Sequence, residues 1–117
     1  MEIVVNGVYH EFNKHGVLVC EGKMVDGLRE GEWREYYDTG ELAIIQHYVK
    51  GEPHGRFMSY HMNGSKWSEG THSNGKCCGM FRVYDEQGKL VRTMIYKEGV
   101  LLEDREFPEV PRVYAVR

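Results

Sequence analysis

The most reactive side chains of this 117-residue chain are the adjacent Cys77 and Cys78 and six histidines, His10, His15, His47, His54, His61 and His72. With His72, the cysteine pair could serve as a vicinal redox switch or as part of a metal site. A metal needs three or four converging ligands, and the C-x-x-C and H-x-x-x-H spacings that supply them are missing. Adjacent cysteines also point in different directions. They are read as free thiols in the turn between Gly75 and Gly79, and no metal or cofactor is expected. A Cys–His pair distant in the chain is compatible with the composition. No phosphate loop, nucleophile elbow or carboxylate pair stands out. A non-enzymatic protein is expected, and no catalytic residue is assigned.

The remaining residues with functional potential are aromatic, and they recur. Trp33, Phe57 and Phe81 follow Gly31, Gly55 and Gly79, and Tyr36, Tyr60 and Tyr84 come three places later. Each series steps by 24 residues, as do Gly27, Gly51, Gly75, Gly99 and Gly16, Gly40, Gly64, Gly88. Such a period over most of the chain is the signature of a repeat architecture. The rings could be stacking platforms for a ligand, but copies at equivalent positions are expected to pack on one another between units. Two aromatics three apart lie on opposite faces of a regular strand. Either a bulge brings them together or both faces are partly covered.

The elements that must position these residues are strands. Runs of seven or eight residues such as GEWREYY and ELAIIQHY are rich in aromatic and β-branched types. Between them stand Asp38-Thr39-Gly40, Met62-Asn63-Gly64, Ser73-Asn74-Gly75 and Glu86-Gln87-Gly88. Glycine and asparagine tolerate the positive φ of tight turns, and glycine this frequent would break a helix. Each unit is therefore a β-hairpin, and consecutive hairpins on short turns give an antiparallel meander of about ten strands. The expected fold is all-β: a single twisted sheet of stacked hairpins in one domain, residues 1–117. Its units span approximately 1–24, 25–48, 49–72 and 73–96, with a partial unit at 97–105 and a capping tail at 106–117. The first unit is degenerate, with Ile3 where a glycine would fall.

Composition narrows the partners. Fifteen Lys plus Arg against 18 Asp plus Glu leave a net charge of −3, with no basic stripe to track phosphates, so nucleic acid is not expected. The amino terminus lacks the basic and apolar regions of a signal peptide, and no run approaches a membrane span. Three cysteines, two adjacent, make a poor disulfide framework. A cytoplasmic protein with no membrane partner is expected. Acidic residues gather near the carboxyl end, a solvated surface that could also steer a basic partner.

Departures from the repeat are the candidate contact residues, because scaffold positions should repeat. Lys66 stands where Leu18, Leu42 and Leu90 occur, and Trp67 where Val19, Ala43 and Val91 occur. Repeat arithmetic gathers Trp67, His61, Met58 and Tyr37 on the middle two units. A large exposed aromatic amid polar groups is what an interface anchor looks like; alternatively, Trp67 fills a wider gap. The runs LAII and LVRTMIY put apolar side chains on both faces. Either the sheet curls over itself or one face meets another chain, which would allow a homodimer.

The units DGLREGEWREYYDTGELAIIQHY, KGEPHGRFMSYHMNGSKWSEGTH and NGKCCGMFRVYDEQGKLVRTMIY resemble the variant MORN repeat. That family includes YwqK-type antitoxins of bacterial toxin–antitoxin pairs. The resemblance implies a hairpin scaffold that binds a protein partner such as a toxin or effector. On it, Gly31, Trp33, Tyr36, Gly40, Gly55, Phe57, Tyr60, Gly64, Gly79, Phe81, Tyr84 and Gly88 are the structural repeat positions. The basic clusters that membrane-binding MORN repeats would use are missing. The function expected is an antitoxin, immunity or inhibitor protein. The alternatives are a self-associating assembly protein and a phage-encoded counter-defence inhibitor.

Overall fold

The computed structural model describes residues 5–108. They form nine strands: β1 (Gly7–Phe12), β2 (Leu18–Val25), β3 (Leu28–Tyr36), β4 (Leu42–Val49), β5 (Glu52–Tyr60), β6 (Lys66–Ser73), β7 (Lys76–Tyr84), β8 (Leu90–Lys97) and β9 (Val100–Glu106). All belong to one antiparallel sheet whose spatial order is the sequence order. The molecule measures 61 × 33 × 20 Å. The all-β meander of stacked hairpins read from the sequence is what forms, with nine strands among the described residues. Ile3 and the tail beyond Pro108 lie outside the described residues.

Two kinds of turn alternate. At one end of the strands, two-residue turns at Asp26-Gly27, Lys50-Gly51, Asn74-Gly75 and Glu98-Gly99 have positive φ at both positions. This conformation matches the right-handed twist of paired strands. At the other end, loops such as 38–40 are closed by Tyr37 and Glu41 and carry glycine at positive φ. The turns also tie one unit to the next. The amides of Gly27, Gly51, Gly75 and Gly99 donate to the carbonyls of Val5, Arg29, Pro53 and Cys77 at 2.7–2.9 Å. Asn6, Glu30 and His54 stand at one repeat position, and their side chains accept from the amides of Asp26, Lys50 and Asn74. Unlike chemistries thus perform one structural task there.

The glycines at 31, 55 and 79 are strand residues, as the run GEWREYY indicated for the first of them. They lie inside β3, β5 and β7 at φ of 77°, 97° and 76°. Register shifts lie opposite them: Glu21 pairs Arg34 while Lys23 pairs Glu30, so Gly22 faces three residues of β3. The same shift recurs between β4 and β5 and between β6 and β7. These are bulges with three residues facing one; bulges bend the strand that carries them, and the positive φ makes glycine the natural residue there.

The five buried residues among those described, Cys20, Trp33, Gln46, Ser59 and Phe81, lie on one face by register, hereafter the inner face. No second layer of secondary structure covers it among the described residues, so the side chains of this face bury one another. Trp33 (2% exposed) sits on this face, and Tyr36 sits half-buried on the other. The tyrosine hydroxyls of the outer face reach Glu21 from Tyr36 and Glu69 from Tyr84. Of the two arrangements open for paired aromatics, both faces are partly covered.

The ring series Tyr9, Trp33, Phe57 and Phe81 falls into two tilted pairs, with planes 36° apart in each, and not into an even ladder. Tyr9 lies 5.6 Å from Trp33 and Phe57 lies 6.5 Å from Phe81, centroid to centroid. Gly22 and Gly70 sit beneath these pairs; a Cβ on them would fall 2.1 Å and 2.3 Å from the ring atoms of Trp33 and Phe81. At the same repeat position stand Gln46 and Met94, and the buried Gln46 side chain fills the place between Trp33 and Phe57. Two units, 48 residues, are therefore the true period of the packing.

Candidate protein-binding surface

Five residues were singled out for partner contact, and the structure brings two of them together. Trp67 is the unpaired residue of β6 where Ser59 pairs Ser68 and Tyr60 pairs Lys66. At the equivalent places stand Val19, Ala43 and Val91, all half-buried, whereas Trp67 is 46% exposed. Its indole stacks on the His61 imidazole, with centroids 5.1 Å apart and planes 19° from parallel. The other ring edge of His61 is fixed by the contact of Nε2 with the Tyr84 carbonyl, 2.9 Å. Met62, beside His61, is 56% exposed. An aromatic held by stacking loses little side-chain freedom when a partner covers it.

The other three are placed differently. Tyr37, at the repeat position of His61, donates its hydroxyl to the Tyr60 carbonyl at 2.6 Å, which ties its loop to the next unit. Lys66 pairs with Glu69 at 3.2 Å on the outer face. Met58 lies on that face beside Ile45, in an open groove of about 500 Å³ whose rim carries Glu32, His47, His54 and Arg56.

Three ionisable groups in these units are shifted by hydrogen bonding or burial. Glu69 accepts a hydrogen bond from the Tyr84 hydroxyl at 2.6 Å, and this, more than nearby Lys66, lowers its pKa against a smaller penalty from burial. The Tyr84 pKa is correspondingly raised. His72 is set edge-on between Phe57 and Phe81, 5.8 Å and 5.7 Å away, and burial lowers its pKa.

Cys77 and Cys78 occupy β7, not the preceding turn. The strand extends closer to the two-residue turn than the glycine spacing indicated. Strand alternation sends them to opposite faces, Cys77 opposite His72 and Cys78 opposite Thr71. Both thiols are free. Cys77 Sγ lies 3.7 Å from His72 Nε2, while His72 Nδ1 is buried with no hydrogen-bond partner among the described residues. The arrangement brings a thiol to an imidazole but gives that imidazole no third group to orient it. Among the described residues no three potential ligands gather into a metal site.

Sequence reasoning missed Gly22 and Gly70, which lie outside every glycine series. Their 48-residue separation was the available signal.

Residues 29–50 and 78–98 match the MORN repeat variant. The match supports a repeat-built binding or structural module. It takes in the second and fourth units; the third, which carries Lys66 and Trp67, is unmatched. No curated protein matches the sequence. Among solved structures, a chain in the crystal structure of accessory secretory protein 1, 2 and 3 in Streptococcus pneumoniae aligns over 86% of this chain, with 15% identity and a TM-score of 0.49. The present chain spans 19% of that chain.

Proposed function

We propose that this protein is a non-enzymatic binding module that docks and neutralises a protein partner, as an antitoxin, immunity protein or inhibitor does. One observation carries the reading: a tryptophan, half exposed, occupies the bulge position that sibling units fill with small or branched apolar residues. A residue there for packing alone would be covered. Stacked on His61, it offers a rigid apolar anchor at the loop end of a preformed sheet. The partner is a protein with an apolar socket, since the chain is mildly acidic and offers no phosphate-tracking stripe.

The test is a pull-down from the native host with the wild-type chain and with Trp67→Val, which installs the repeat residue. A protein retained by the first and lost by the second supports the reading. Equal retention by both would move the site elsewhere.

A further inference from the structure

One line of residues crosses all nine strands without a register break: His10, Glu21, Arg34, Ile45, Met58, Glu69, Arg82, Thr93, Arg105. Direct Cα partners share one face, so this line runs straight across the outer face. Its middle six read acid, base, apolar, apolar, acid, base. Reversed, they read base, acid, apolar, apolar, base, acid. The row is complementary in charge to its own reversal.

From this we propose that the outer face of β3–β6, flanked by Glu21 of β2 and Arg82 of β7, associates with a second copy of the same chain. The symmetry axis runs parallel to the strands, midway between β4 and β5. Rotation about it lays Ile45 over the second copy's Met58, Arg34 over its Glu69, and Glu21 over its Arg82. Each contact occurs twice, as a two-fold interface requires. Glu21 and Glu69 already accept from the Tyr36 and Tyr84 hydroxyls, Glu21 also meets His10 and Glu69 meets Lys66, so each facing arginine would share its carboxylate with these partners. The Arg34 side chain is 46% exposed and turned toward Glu32; the Glu69 side chain keeps 21% exposure. Arg82 has no carboxylate within ion-pair distance among the described residues, although Glu69 is its registered neighbour. The groove at Ile45 and Met58 supplies the apolar centre. Nearer the loops, Tyr36 would approach the second copy's Lys66, and Leu42 its Tyr60.

The size of the patch sets the strength. Four strands about 4.8 Å apart, each contributing two or three outer residues, cover on the order of 400 Å² per copy. A stable complex buries about 800 Å² per partner. The association is therefore weak and reversible, and rotation between packed twisted sheets confines it to the middle strands. It is independent of the Trp67 surface and stands or falls separately.

Sedimentation velocity on the full chain, from about 10 μM to 1 mM at low salt, tests it in the range where so small an interface assembles. A concentration-dependent dimer that weakens with salt is expected. Arg34→Glu and Glu69→Arg should each weaken it about tenfold or more, by setting like charges face to face twice. The double variant should return it to within about threefold of wild type, a recovery that only facing charges produce. Thermal melts check folding; if either variant melts early, Glu21→Arg with Arg82→Glu repeats the exchange at the outer pair. A chain monomeric throughout, a dimer indifferent to the single reversals, or a double variant that fails to recover would each overturn the proposal.

Discussion

Replacing Gly70 by alanine should destabilise the sheet far more than a methyl group in a strand ordinarily would. Alanine is the better residue for an extended backbone, and Gly70 lacks the positive φ that would forbid a side chain. The difficulty is the ring of Phe81. A Cβ at Gly70 would lie 2.3 Å from Cδ2 and Cε2 and 2.5 Å from Cγ, where carbon atoms rest about 3.5–4.0 Å apart. The ring would have to move by more than about 1 Å. It has nowhere to go: Phe57, His72 and Tyr96 stand 6.5, 5.7 and 5.3 Å away, and Phe81 is 7% exposed. Overpacking of this kind costs about 1–3 kcal/mol, and expelling the ring outright would cost about 3–5 kcal/mol, so about 2–4 kcal/mol is expected. Unfolding entropy for a chain this size is roughly 0.25 kcal/mol per degree, so the melting temperature should fall by about 8–16 °C. Calorimetry or circular dichroism would read the drop. The stricter assay is a double-mutant cycle with Phe81→Ala. Once the ring is gone the methyl group has room, so Gly70→Ala should add less than about 0.5 kcal/mol. Equal costs of Gly70→Ala with and without Phe81, or a drop below about 3 °C, would refute the reasoning.

Further expectations follow from the ionisable groups. His72→Tyr restores the residue at Tyr48 and Tyr96 and should remove an acid-side loss of stability. The folded state depresses the histidine pKa, so its contribution is complete above about pH 6.5 and falls as the pH drops toward the folded value. Melting curves between pH 5 and 8 would show the slope in wild type and its absence in the variant. The Glu69 carboxyl, held low chiefly by the Tyr84 hydroxyl, contributes stability above about pH 4.5 that is lost as the pH falls through the folded value. Tyr84→Phe should flatten that loss by under about 1 kcal/mol, since Glu69 is partly solvated; acid titration of stability reads it, and an unchanged slope contradicts the assignment. Gly51→Ala, at φ of 85° in a two-residue turn, should cost about 1–2 kcal/mol from backbone strain. A neutral result in denaturant melts would contradict that turn.

The hairpin period was legible because a positive φ leaves few choices of residue, so bends repeat in the sequence as glycine. Strand limits were less so. Gly31 and its copies satisfy the same backbone demand within a strand, at a bulge, and nothing local distinguishes the two uses. Cys77 and Cys78 were assigned to a turn for the same reason. The ring ladder was legible as a ladder but not as pairs, because the difference lies in Gly22 and Gly70 against Gln46 and Met94 on the facing strand. Tyr37 shows another limit: a tyrosine that departs from the repeat can serve the scaffold through one hydroxyl. Trp67 was open between filler and anchor in the sequence, and its 46% exposure is the ground on which the anchor reading is proposed.

The most direct measurement of the central claim is the affinity of the purified partner for wild-type chain and for Trp67→Val, by titration calorimetry. An anchor of this kind is worth about 2 kcal/mol or more, so the account expects roughly thirtyfold weaker binding with an unchanged melting temperature. Affinities equal within about threefold would contradict it.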